Sequence, residues 1–221
     1  MIDMKRSEIT TRRKVGRPLS FEREAALQQA MLLFWRHGYE ATSLGDLTAA
    51  MGVTPPSIYA VFGDKKRLFL EAVDRYVSGP VTALSIIKDA KTARDAAWGL
   101  LQGSAVQFTG SDTPSGCLLA TSAISCSSDA ADVQSELAKI RLRIEAHLKA
   151  RILNAVETDE LPPETDADAL AGLIMSTIQG MSTLARDGAK REKLMRIATQ
   201  VMLAWPKRGR AHGSKRGLYA R

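Results

Sequence analysis

Residues 42–68, running from Thr42 to Leu68, read TSLGDLTAAMGVTPPSIYAVFGDKKRL. Their stop and start signals predict two short helices at a sharp turn, with a third directly behind. Thr42 or Ser43 is placed to cap the first, and Asp46, three residues after Ser43, completes a capping-box pattern. Leu44, Leu47, Ala50 and Met51 recur at helical spacing as an apolar stripe. Gly52 ends the helix because it takes a left-handed conformation at little steric cost, and Val53 is the apolar residue of the turn. Thr54 is the cap candidate of the second helix, with Pro55 and Pro56 in a first turn where a missing N–H costs little. Ile58, Val61 and Phe62 are expected to face inward, leaving Thr54, Pro55, Pro56, Ser57, Tyr59 and Ala60 outward. Gly63 closes this helix and Asp64 caps the next, which begins Lys65, Lys66, Arg67. A helix N-terminus disfavours cations. Three of them there point to an external anion, and phosphate oxygens of duplex DNA suit that chemistry.

Upstream, Ser20 is expected to cap a helix that runs to about Arg36, buries Ala26, Leu27, Ala30, Met31, Leu33 and Phe34, and ends at Gly38. His37 falls in its last turn, where a cation is normal. Downstream, the helix that starts after Asp64 continues through Leu68, Phe69, Ala72, Val73 and Tyr76 until Gly79-Pro80 breaks it. Beyond Pro80 helices are expected near residues 81–89, 92–109, 117–126, 130–157, 166–187 and 190–205, separated by turn-rich breaks. No strand-like alternation competes, so the fold is all-α. Leu137, Ile140, Ile144, Leu148 and Ile152 form one stripe of an ordinary amphipathic helix. The last two helices carry wider apolar faces, with Gly172, Ser176 and Gly180 permitting close approach. Two wide faces suggest pairing with a second copy through residues 166–205 as a four-helix bundle, giving a homodimer.

The chain has 221 residues and a formal net charge of +7. That charge is concentrated at the ends: residues 1–20 carry +4 and residues 207–221 carry +6, leaving the body between them at −3. Attraction to DNA is therefore expected from the ends together with a few placed side chains. Residues 1–17 read as a basic arm, and Gly16-Arg17-Pro18 is similar to a minor-groove hook, so Arg17 is a candidate DNA contact. Residues 207–221 form a basic tail. No apolar run approaches the roughly 18 residues of a membrane span, and the first twenty residues lack a signal-peptide core. A cytoplasmic protein without membrane contact is expected, and the two cysteines show no disulfide framework.

Together Ala25, Ala30, Phe34, Gly38, Tyr39, Thr42, Leu47, Ala50, Gly52, Val53, Ile58, Tyr59, Phe62, Lys65, Leu68 and Phe69 make residues 17–76 resemble the DNA-binding domain of the TetR/AcrR family of bacterial one-component repressors. The resemblance implies a helix-turn-helix domain over residues 18–78 and a helical effector-binding and dimerisation domain over residues 79–206. It implies that Thr42, Ser43, Tyr59 and Lys65 hold phosphates. With the helix that starts at Thr54 in a major groove, Thr54, Pro55, Pro56, Ser57 and Ala60 are expected to meet base edges or thymine methyls of a near-palindromic operator. The Pro55-Pro56 pair departs from the polar or basic residues common in the family, which moves the expected specificity toward methyl contacts and DNA shape. The resemblance also implies a small-molecule effector in the second domain. Trp98, Gln102, Phe108, Cys117, Met175 and Gln179 are the candidate walls.

Catalytic patterns are thin. The sequence lacks His-Glu-x-x-His, a Gly-rich phosphate loop and Gly-x-Ser-x-Gly, and His37, His147 and His212 lie in unrelated segments. No metal site, cofactor or enzyme activity is expected. Cys117 with His147 would be the weakest of nucleophile–base pairs. Cys117 and Cys126, if on one helix, would stand about 13 Å apart on opposite faces, too far for a disulfide. A sequence-blind architectural DNA binder using both basic ends is the rival from another class.

Overall fold

The computed structural model describes residues 19–123 and 127–207. Among them the chain is helical throughout, with no strand. It begins with α1 (Leu19–His37), α2 (Leu44–Met51), α3 (Pro55–Phe62) and α4 (Lys65–Val77). After Gly79-Pro80 come α5 (Ala83–Asp89), α6 (Ala93–Gln107) and the single turn α7 (Leu118–Thr121). A 3₁₀ turn at Ser128–Ala130 leads into α8 (Ala131–Glu157), and α9 (Ala167–Arg186) and α10 (Arg191–Leu203) complete the order.

Most boundaries follow the local chemistry that predicts them. Ser43 and Asp46 exchange hydrogen bonds in a capping box, and Gly52 stops α2 at φ +67°. Asp64 accepts the Arg67 amide at 2.8 Å to start α4. Three expectations need correction. Leu19 is already helical, so Ser20 lies inside the first turn of α1 and not ahead of it. The helix expected over 117–126 shrinks to the one turn of α7, and Cys126 lies outside the described residues. Thr54 holds the N-cap position of α3, but its hydroxyl lies 2.9 Å from that of Ser57 and caps no amide. Pro55 and Pro56 have no N–H to offer, and the Ser57 amide bonds to the Thr54 carbonyl.

Two cores hold the elements together. The first gathers Ala30, Phe34, Leu47, Ile58, Leu68, Phe69 and Ala72, with the Phe34 and Phe69 rings edge to face at 5.0 Å. Trp35, not foreseen as buried, is 2% exposed and donates from Nε1 to the Gly116 carbonyl at 3.1 Å. Leu118, Leu119, Ala123, Val133 and Leu137 belong to this same core. The second unites α5, α6, α8, α9 and α10 around Leu101, Leu148, Ile152, Ile174, Leu194 and Ala198. Cys117 and Ile144 touch both. The C-terminal turn of α9 is fastened to the end of α1, because Arg186 donates to the carbonyls of Trp35 and Arg36.

Candidate nucleic-acid interface and the cavity behind it

The turn from α1 to α2 sets one edge of the interface. Gly38 stands at φ +85°, and a Cβ there would lie 3.2 Å from the Ser122 carbonyl oxygen. The Gly38 carbonyl accepts the Thr42 hydroxyl at 2.7 Å, and Thr42 is 1% exposed. Thr42 thus spends its hydroxyl on closing this turn, leaving none open to an external phosphate. Ser43, next to it, is exposed, with its hydroxyl 2.6 Å from Asp46 Oδ2. The Ser43 hydroxyl and amide together hold the Asp46 carboxyl below its ordinary range.

α3 presents the candidate reading face. Ile58 and Phe62, four residues apart, anchor it in the first core. Thr54, Pro55, Pro56, Tyr59 and Ala60 face outward, and Ser57 is half-buried. Tyr59 is 51% exposed and its hydroxyl makes no hydrogen bond among the described residues. Val61, expected inside, is 49% exposed, because a helix of eight residues buries only the narrow line through 58 and 62. Ala50 on α2 is likewise exposed, while Leu44 and Met51 are half-buried and Leu47 is fully buried.

At the start of α4 the three cations divide. Lys65 is half-buried, with Nζ 4.7 Å from the centroid of the Tyr39 ring and 3.4 Å from the Glu40 carbonyl. Desolvation lowers its pKa from the ordinary lysine value. Lys66 is ion-paired with Asp132 of α8, which raises the lysine and lowers the carboxylate. Arg67 is exposed. Further contacts run from the same edge into the second half of the chain. The Tyr39 amide donates to the Ser122 carbonyl at 2.9 Å, and the Glu40 carboxylate accepts the Ser127 hydroxyl at 2.5 Å and its amide at 3.1 Å. Glu40, Ser127 and Asp132 were not singled out by sequence, since long-range partners on exposed turns leave no periodic signal. Arg17 lies outside the described residues.

Behind this interface, where α4 ends, a cavity of about 370 Å³ opens between α4, α6, α8 and α9. Of the predicted walls, Phe108, Cys117, Met175 and Gln179 line it. Trp98 and Gln102 do not: Gln102 is exposed and Trp98 packs against the second core. The reason is helical phase. Leu100, Ser104 and Gln107 line the cavity from α6, and residues two positions from Leu100 point about 200° away. Tyr76 and Arg141 are walls that sequence reasoning missed. Tyr76 read as a linker residue and Arg141 as an off-stripe charge. The Tyr76 hydroxyl donates to Cys117 Sγ at 3.4 Å, and burial raises the pKa of both groups. Among the described residues there is no cluster of three metal-ligating side chains, and no helix long and apolar enough to cross a membrane.

Residues 26–72 match the family model of bacterial regulatory proteins of the tetR family, and residues 100–201 match that of the tetracyclin repressor-like C-terminal domain. Over 193 residues the chain is 38% identical to the HTH-type transcriptional repressor ComR of Escherichia coli (strain K12), covering 86% of this chain and 92% of ComR. The chain belongs to the TetR family. Like other members, it is a DNA-binding transcription regulator with an N-terminal helix-turn-helix and a helical C-terminal domain. Among solved structures, the TetR family regulator CifR, as a cysteine mutant complexed with 26 bp double-strand operator DNA, is similar at a TM-score of 0.80 and 33% identity. That match covers 86% of this chain and 100% of CifR. A TetR regulator from Rhodococcus sp. RHA1 is similar at a TM-score of 0.56 and 36% identity, covering 83% of this chain and 98% of that one.

Proposed function

We propose that two copies of the chain form a cytoplasmic repressor that reads a near-palindromic operator with α3 and leaves it when a small molecule enters the cavity. The observation that carries the reading is α3 itself. It is a short helix fixed by Ile58 and Phe62, with Pro55, Pro56, Tyr59, Ala60 and Val61 turned to solvent beside the exposed Ser43 and half-buried Lys65. Such a surface fits a major groove, with the small apolar groups facing thymine methyls and Ser43, Tyr59 and Lys65 facing phosphates. Thr54 and Ser57, hydroxyl to hydroxyl, remain as polar groups at base level. Arg17 would add a minor-groove contact from the arm. Thr42 acts through the turn it closes. That CifR is complexed with operator DNA supports a DNA-binding role for this domain.

Pairing is supported by what α9 and α10 leave uncovered. α9 buries Leu170, Ile174, Met175 and Met181 but leaves Leu173 40% exposed, on the same side as Ser176 and Gly180. On α10, Leu203 is 67% exposed. These faces suit a four-helix contact across a two-fold axis.

Release follows from α4. Its last turn, at Tyr76 and Val77, is a wall of the cavity, while its first residues are Lys65 and Lys66. A ligand that shifts the far end of a rigid helix of 13 residues moves the near end too, changing the spacing of two reading heads. The coupling available is about 1–3 kcal/mol. Footprinting across the DNA flanking its own gene is the test. One protected palindrome with half-site centres about 34 Å or more apart is expected, and protection without sequence preference would overturn the reading.

A further inference from the structure

Resting on the ligand-responsive reading above, we infer that the cavity takes a small monocarboxylic acid with an apolar body, its carboxylate bound by Arg141. The walls are mostly apolar, with Leu100, Phe108, Ile144 and Ile178 among them, and the volume of about 370 Å³ lies at the small end of ligand sites. Arg141 stands on α8 between Ile140 and Ile144 and is half-buried. Its Nη1 donates to the Leu119 carbonyl, and among the described residues no carboxylate pairs with it. Asp74 also lines the cavity but is exposed and forms no ion pair with Arg141, and the exposed Arg143 adds a second positive charge.

Apart from the exposed Asp74, no carboxylate stands among the walls. Tyr76 is committed to Cys117, and burial keeps both of them protonated. Partial burial lowers the pKa of the Arg141 guanidinium from its ordinary value, in keeping with a cation that has no carboxylate paired to it. A planar guanidinium fork with free N–H groups matches one carboxylate bidentately. Arg141 and the exposed Arg143 together repel an amine, while only the half-buried Arg141 offers its fork beside the apolar walls. Gln179 and Ser104 are left to fix the orientation of the apolar body through a second polar group.

The test uses the full chain with octanoate and 1-naphthoate, their methyl esters, and octylammonium, followed by calorimetry. Both acids are expected to bind at least about tenfold more tightly than their esters, and the ammonium not at all. Arg141→Met should drop the acids to the level of the esters while ester affinity stays within about threefold. Arg141→Lys, which keeps the charge and loses the fork, should fall between, and covers the case in which the methionine variant does not fold. Esters or ammonium binding as well as the acids would overturn the inference. So would binding of no probe, or acids binding equally to wild type and both variants. Operator titrations in the same buffer separate the two levels: operator release by neutral probes alone sinks the acid assignment and leaves the repressor reading intact, whereas absence of any operator complex sinks that reading.

Discussion

The Lys66 ammonium at the start of α4 is ion-paired with the Asp132 carboxylate at the start of α8, so a cation at the edge proposed to meet phosphate is held by the second half of the chain. Asp132→Asn frees it. Operator binding by this variant is expected to tighten at low salt, and the slope of log K against log salt to steepen by about one for each subunit. Anisotropy titrations across a salt series measure this. An unchanged slope would mean that Lys66 reaches phosphate with Asp132 still bound, or never.

Tyr59, half exposed and with its hydroxyl unpaired among the described residues, is expected to serve a phosphate. Tyr59→Phe should cost about 1–2 kcal/mol of DNA affinity and do so evenly across operator variants. A shifted preferred sequence in a binding-site selection would move Tyr59 from backbone to base contact.

Leu137 lies on α8, far along the chain, yet is fully buried in the same core as Phe34 and Phe69. Leu137→Ala should destabilise the protein by about 2–5 kcal/mol. The loss should appear in one calorimetric transition shared by both halves. A lower-temperature transition confined to the second half would show the cores to be independent.

Glu40 and Asp132 both hold protons less tightly than free carboxylates, Glu40 through Ser127 and Asp132 through Lys66. Groups with depressed folded-state pKa values stabilise above their unfolded values and lose that contribution as pH falls through the folded ones. The contact between the α1–α2 turn and residues 127–132 should therefore hold to about pH 4 and loosen below it. Amide exchange of Ser127 and Tyr39 reports this directly, and loosening already at pH 5–6 would contradict it.

Cys117 is half-buried at the cavity wall, hydrogen-bonded by Tyr76 and raised in pKa by desolvation. In a Cys126→Ser background its alkylation by iodoacetamide at pH 8 should run at least about tenfold slower than that of a free thiol. A fast reaction would revive the nucleophile reading of the sequence.

The elements of the reading head were legible because caps, prolines and glycines act locally. Ser43 with Asp46, Gly52 and Asp64 each mark a boundary within a few residues of themselves. Val61 and Ala50 were misplaced since periodicity gives a direction but not the width of the neighbouring surface. Trp98 and Gln102 failed as walls for a related reason: residue type suggested a pocket, and helix phase decided otherwise. Thr42 is the instructive case, because its assignment came through resemblance while the hydrogen bond to Gly38 that engages its hydroxyl depends on the turn geometry. Arg141 was passed over because a charged residue off an apolar stripe reads as solvated, and only the assembled helices reveal the cavity beside it.

The core that takes Leu118, Leu119, Ala123, Val133 and Leu137 together with α1–α4 bears on how this protein can be recombined. A chimera that grafts its first 78 residues onto a foreign sensor would carry away most of a hydrophobic interior without the five buried side chains that close it, and leave Phe34 and Trp35 facing unfamiliar side chains. A workable exchange must transplant the segment from Cys117 to Leu137 along with the head, so the unit of inheritance for DNA specificity is discontinuous in the chain.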